Sequence, residues 1–217
     1  MKLLLTSEGI INNSIKKALR NLAGKPFNRL SCAFIPTAAN LEDDDKSWLI
    51  DILKNCQKLG FKRLDIVDIS ALPKSIIKSR LAKADILMFG GGNAGYLLDW
   101  LNKSGLKAAL PGFLKKKIYV GASAGSMITA DRLYPNILEN FFREKYLAKI
   151  TKALGLVNIN IIPHLNSSWF TKVRFKNIMR LTKSIAEPIY AIDDNTAISI
   201  NGSKISVVSE GKWKRFN

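Results

Sequence analysis

A serine set among small residues, a lone histidine and a late pair of aspartates are the residue types in this sequence that could together do nucleophilic chemistry. The run Gly-Ala-Ser-Ala-Gly at 121–125 is a G-x-S-x-G motif between an apolar stretch, 117–120, and a helical one. A serine hydroxyl is a weak nucleophile, so it must project from a sharp strand-to-helix turn towards a base, and the strained turn needs small neighbours. Gly121, Ala122, Ala124 and Gly125 meet that need. In such a turn the backbone N–H of Ala124 points at a developing oxyanion, helped by the positive end of the following helix. The bare motif is weak evidence, because Ser123 could equally be an ordinary helix N-cap. Its weight comes from the company it keeps.

A second glycine cluster, Gly90-Gly91-Gly92-Asn93, follows the apolar stretch 85–89. Consecutive glycines at a strand's C-terminal end bring the backbone close to a ligand and offer N–H groups, where sites in open α/β sheets usually lie. Gly91, Gly92 and Asn93 are therefore read as substrate-binding, with the Gly92 N–H as second oxyanion donor beside Ala124. A phosphate cradle is the competing use, but the cluster lacks both the P-loop lysine and the G-x-G-x-x-G spacing. His164 is the only histidine, and it too follows an apolar stretch, 158–162, and Pro163. A lone histidine is more often structural or on the surface; three features converging on one sheet edge favour it as a base. Its partner must be a carboxylate that fixes the tautomer and stabilises the imidazolium. Asp193-Asp194 lies in a turn after 189–192, near that edge if the strand runs parallel, while Asp131, Glu139 and Glu144 remain open alternatives.

The elements that must position these residues read as strands at 2–6, 30–36, 61–69, 84–89, 117–120 and 156–162. Helices with apolar residues at three- and four-residue spacing fall at 13–22, 44–59, 74–84, 95–101 and 169–186. Strands alternating with helices, and apolar almost throughout, predict a mostly parallel sheet with helices on both faces. Strands at 189–192, 197–200 and 204–208, the last two joined by Asn201-Gly202, predict an antiparallel C-terminal edge.

The chain of 217 residues, 47% hydrophobic and 24% charged, fits a single domain spanning 1–217 with a substantial core. Cys32 and Cys56 have neither C-x-x-C spacing nor a nearby histidine, so they read as buried free thiols, and no metal is called for. The N-terminal apolar run is too short for a signal-peptide core and no stretch approaches a membrane span, so the expectation is cytoplasmic, without a membrane partner. The net charge of +17 is scattered over helix faces and reads as a solvated surface, so nucleic acid is not the expected partner.

Four motifs in order, Gly90 to Asn93, Gly121 to Gly125, Pro163-His164 and the 191–198 run Ala-Ile-Asp-Asp-Asn-Thr-Ala-Ile, resemble the dipeptidase E (aspartyl dipeptidase) family of serine peptidases, which includes the cyanophycinases. The similarity spans nearly the whole chain. It implies a flavodoxin-like sheet akin to the class I glutamine amidotransferase domain, with serine where those enzymes carry cysteine. It also implies a Ser-His-acid triad of Ser123, His164 and Asp194, although the family's third member is often a glutamate, so Asp193 or a carboxylate near Asp131 stays open. Arg174 is the nearest match to an arginine that holds an acidic substrate side chain, across a segment shorter than the family's.

The expected function is hydrolysis of a small peptide substrate, with N-terminal Asp as the candidate preference, through an acyl-enzyme and without a cofactor. Another amide, isopeptide or ester hydrolase on the same scaffold, or a non-catalytic basic binding protein, are the rival readings.

Overall fold

In the computed structural model, which describes all 217 residues, the first half of the chain lays down five strands, β1 (Lys2–Thr6), β2 (Ser31–Ile35), β3 (Arg63–Ile66), β4 (Ile86–Phe89) and β5 (Ile118–Ala122). Between them run α1 (Asn13–Ala23), α2 (Ser47–Lys58), α3 (Lys74–Ala82), α4 (Ala94–Lys103) and α5 (Leu106–Phe113). The chain continues through α6 (Ala124–Met127), β6 (Arg132–Leu133), α7 (Pro135–Phe142), β7 (Thr151–Lys152), β8 (Asn160–Ile162), α8 (Phe175–Leu181), β9 (Ile189–Ile192), β10 (Thr196–Asn201), β11 (Lys204–Ser209) and β12 (Trp213–Phe216). The main sheet has the order β11-β10-β1-β5-β4-β2-β3. Strands β1 to β5 are mutually parallel, and β10 and β11 form an antiparallel edge.

Alternation along each strand sorts its side chains to opposite faces. Leu3, Leu5, Leu87, Phe89 and Tyr119 pack with Ile77 and Leu81 of α3, Leu97 and Leu101 of α4 and Leu110 of α5. Leu4, Phe34, Ile86, Met88 and Val120 face the other way, against Ile15 and Leu19 of α1 and Ile52 of α2. Both faces are thus covered, and the apolar strands are explained. Burying each such side chain contributes roughly 1.5–3 kcal/mol. The strand β5 lies at the middle of the seven, so Ser123 emerges at the centre of the sheet.

The C-terminal third departs from expectation in three places. The strand at 189–192 does not join the antiparallel edge: β9 pairs in parallel with β8 and antiparallel with β12 in a separate three-stranded sheet. All four residues of β9 are buried, with Ile189 and Ala191 in one cluster and Tyr190 and Ile192 in another, so the strand is sandwiched between layers. Its partner β12 is mostly exposed and charged, a poor strand signal. The helix predicted at 169–186 is only α8, because 165–174 form a loop in which the Asn166 N–H donates to the Val173 carbonyl. The hairpin turn also slips by one residue: Asn201 pairs with Lys204, leaving Gly202 at φ 61° in the turn. Cys32 and Cys56 are buried free thiols, and no helix is long and apolar enough to cross a membrane.

Candidate active site

Ser123 stands between β5 and α6 at φ 48°, ψ −110°, a conformation that non-glycine residues rarely adopt and that costs of order 1–3 kcal/mol. Close packing imposes it. A Cβ on Gly125 would lie 2.2 Å from the Phe89 carbonyl oxygen, and one on Gly121 would lie 2.6 Å from the Gly125 carbonyl oxygen. The turn is tied to the neighbouring strand by the Ser123 N–H and the Ser126 hydroxyl, which donate to the Thr6 carbonyl at 3.1 and 2.7 Å. The N-cap alternative does not hold, since the Ser123 side chain makes no capping hydrogen bond. Its Oγ instead lies 3.0 Å from Nε2 of His164.

His164 follows β8 and Pro163 at φ 61°. Its Nδ1 lies 2.7 Å from Oδ1 of Asp194, in the turn after β9. Burial pushes the Asp194 carboxyl up, but the hydrogen bond and charge of His164 and the hydroxyl of Ser7 outweigh it and hold the group below the usual carboxylate range. The neighbouring Asp193 is used by its own turn: its carboxylate accepts from the Thr196 hydroxyl and from the N–H groups of Asn195 and Lys212. The other carboxylates lie elsewhere. Asp131 pairs with Arg132, Glu139 with Lys145, and Glu144 accepts the Ala94 N–H. The ring of Phe170 tilts over His164 with centroids 4.7 Å apart, and Phe142 meets it edge-on at 6.4 Å.

The glycine cluster sits against the serine. A Cβ on Gly91 would be 3.4 Å from Ser123 Cβ and 3.6 Å from the Trp48 ring. Gly92, at φ 118°, packs on the turn at Ala38, whose carbonyl oxygen would be 2.3 Å from an added Cβ. The N–H groups of Gly91, Gly92 and Ala124 find no acceptor within the chain, whereas those of Gly90 and Asn93 bond to Ile35 and Ala38. Asn93 caps α4 by accepting the Tyr96 N–H at 2.9 Å. Under this loop Glu144 is almost fully buried, and burial pushes its carboxyl up to about 8.

Arg174 is the N-terminal flanking residue of α8. Its guanidinium donates to the carbonyls of Ser167, Phe170 and Val173, so it frames the loop that carries Phe170. Of its five N–H donors the one on Nε and one on Nη2 have no partner in the chain.

Three contributors were not found by sequence reasoning. Ser7, Phe170 and Glu8 carry no motif; the only available signal was that Ser7 and Glu8 follow β1, whose C-terminal end joins the same edge as β4 and β5. Glu8 is exposed, and its carboxyl is raised by burial of its charge and then by Asp194, with His164 acting in the opposite sense.

Residues 3–208 match the model of peptidase family S51. The uncharacterized peptidase PM1590 of Pasteurella multocida is 30% identical over 183 residues, 83% of this chain and 86% of its own length. The uncharacterized peptidase Lmo0363 of Listeria monocytogenes is 30% identical over 191 residues, 85% of this chain and 86% of its own. Among solved structures, a candidate peptidase E protein from Listeria monocytogenes EGD-e superposes with TM-score 0.79 at 24% identity, covering 97% of this chain and 98% of the other. A peptidase from an acI-B1 Actinobacterium gives 0.72 at 20% identity, covering 98% and 88%. These two likenesses show the fold, a largely parallel central sheet flanked by helices.

Proposed function

This chain belongs to peptidase family S51 and is a serine-type peptidase, and from that premise we propose that it hydrolyses short peptides through an acyl-enzyme formed on Ser123. The observation that carries the reading is the continuous contact from Ser123 Oγ to His164 Nε2 at 3.0 Å and from His164 Nδ1 to Asp194 Oδ1 at 2.7 Å. Ser123 Oγ adds to the scissile carbonyl carbon while its proton passes to Nε2, and Asp194 stabilises the imidazolium so formed. The oxyanion is met by the unpaired N–H groups of Ala124 and of Gly91 or Gly92. Collapse of the tetrahedral adduct breaks the C–N bond, and Nε2 returns the proton to the departing amine. Water then repeats the sequence on the ester, releasing the acid and restoring Ser123. The residues at the site suffice for each step without a cofactor. Two buried free thiols fit a reducing, cytoplasmic setting.

The finer expectation is a preference for N-terminal aspartate, held by Arg174 through the donors its loop leaves over. A second reading, without acidic preference, is favoured by the three carbonyls Arg174 already serves and by the Glu8 carboxylate near the His164–Asp194 pair. The test of the main proposal is labelling by a fluorophosphonate together with a dipeptide library. Ser123-dependent labelling and dipeptide cleavage are expected. Labelling that survives Ser123→Ala, or cleavage that does, removes Ser123 from the chemistry.

A further inference from the structure

Ser7 lies at the C-terminal end of β1, fully buried behind the His164 ring. A hydroxyl has one proton and two lone pairs. Oδ1 of Asp194, 2.6 Å away, is an ionised oxygen that can only accept, so the Ser7 proton goes there. The lone pairs then face His164: its backbone N–H donates to Oγ at 2.8 Å, and Nδ1 lies 3.2 Å from the same oxygen.

From this juxtaposition we infer that Ser7 is a positioning residue, which holds the N–H side of the left-handed His164 backbone and, by donating to Asp194 Oδ1 where that oxygen meets Nδ1, steadies the carboxylate that keeps the ring proton on Nδ1. The inference rests on the reading of Ser123, His164 and Asp194 given above. The backbone part concerns the N–H side of His164, since the peptide that follows is held by the Leu165 N–H on the Ile192 carbonyl and by the Ser167 N–H on the His164 carbonyl. Strand β8 ends at Ile162, the preceding residue is a proline, and the His164 N–H has no backbone acceptor. Ser7 Oγ is its one partner. The tautomer part follows from the acceptors around Nδ1. Both oxygens near it, Asp194 Oδ1 and a Ser7 Oγ whose proton is committed, offer lone pairs, so a lone pair on Nδ1 would be repelled by each. A proton on Nδ1 leaves the Nε2 lone pair facing Ser123 Oγ.

The same strand end holds the nucleophile. The Thr6 carbonyl takes the Ser123 N–H and the Ser126 hydroxyl, while the next residue takes the His164 N–H and the Asp194 carboxylate. Thr6, the last residue of β1, and Ser7, the next, thus set the distance between Ser123 and His164, two residues otherwise delivered by different sheets.

Because His164 is the sole histidine, chain labelled with 15N-histidine reports this ring alone, independently of activity. In the unmodified protein with a neutral ring, the two nitrogens should show the pattern of a single Nδ1–H tautomer. In Ser7→Ala they should move towards an average of both tautomers, and kcat should fall about 10²-fold, the scale of a small misplacement, with KM nearly unchanged. Ser7→Thr should restore the ring pattern and most of kcat. A parent-like ring in Ser7→Ala overturns the inference, whatever happens to kcat, because a merely structural residue would lower activity without mixing tautomers. If Ser7→Ala does not fold, Ser7→Cys, a weak donor and acceptor in the same place, should give partial averaging, and a parent-like ring there is equally fatal. Loss of the Ser123 labelling reading would leave these spectra interpretable, so the two failures are distinguishable.

Discussion

Ser123 and His164 both stand at positive φ, 48° and 61°, just beyond the C-terminal ends of strands, yet the two regions hold them by different physics. At the serine, backbone packs on backbone. Gly121 and Gly125 admit no Cβ, and the strand behind them is buried in every residue. At the histidine, a three-residue strand leads into a loop, and polar groups with two aromatic rings do the holding: Ser7, Asp194, Phe170 and Phe142. A nucleophile, the role proposed for Ser123, must keep a strained geometry, and incompressible packing supplies that. A base, the role proposed for His164, must gain and lose a proton, and hydrogen-bond partners that respond to charge supply that. Disturbing the packing beneath the serine should therefore cost stability, and removing a polar partner of the histidine should cost rate.

The largest effect expected is from Ser123→Ala, which should lower kcat about 10⁶-fold while leaving the thermal midpoint nearly unchanged, as measured by turnover and calorimetry. Retention of more than about a thousandth of the activity would contradict the assignment of the nucleophile. Asp194→Asn should cost about 10⁴-fold in kcat, whereas Asp193→Asn, whose carboxylate serves its own turn, should cost far less. Equal losses would mean that the histidine region does not separate the two aspartates as their contacts suggest.

Gly125→Ala tests the steric side. With the Phe89 carbonyl oxygen 2.2 Å from the new methyl, the backbone must move, and denaturant unfolding should show a loss of about 3 kcal/mol or more. A neutral result would refute close packing as what holds the elbow.

Glu144 places a titration beneath the glycine cluster. Burial raises its folded-state value to about 8, above the unfolded carboxylate value of 4.5, so the folded chain binds the extra proton between those limits. Stability from this group is therefore full below about pH 4.5 and is lost as pH rises through about 8. Unfolding free energies at pH 5 and pH 9 should differ less in Glu144→Gln than in the parent, by on the order of 1–3 kcal/mol. An unchanged difference would mean that Glu144 is ionised in the folded chain throughout.

Arg174→Met should have the smallest effect. If the guanidinium frames the loop under Phe170, Asp-X and Leu-X dipeptides should lose kcat/KM alike, about tenfold. A loss confined to Asp-X would instead make Arg174 a substrate contact.

What the sequence determined by itself was whatever depends on neighbours along the chain. The alternation of apolar strands and amphipathic helices specified a covered, mostly parallel sheet, because burial on both faces demands it. The small residues around Ser123 announced a tight turn, because Gly121 abuts Gly125 four positions on, whereas the contact of Gly125 with Phe89 of β4 lay outside local spacing. Only the tertiary structure could decide between Asp194 and its neighbour Asp193, since both occupy the same turn and differ in where each side chain is directed. It also decided that β9 pairs with β8 and β12, through competition among strand edges far apart in sequence. Ser7 was out of reach for the same reason: it stands 157 residues from His164 and 187 from Asp194. Hydrogen bonds of that span follow from strand order, which no local spacing encodes.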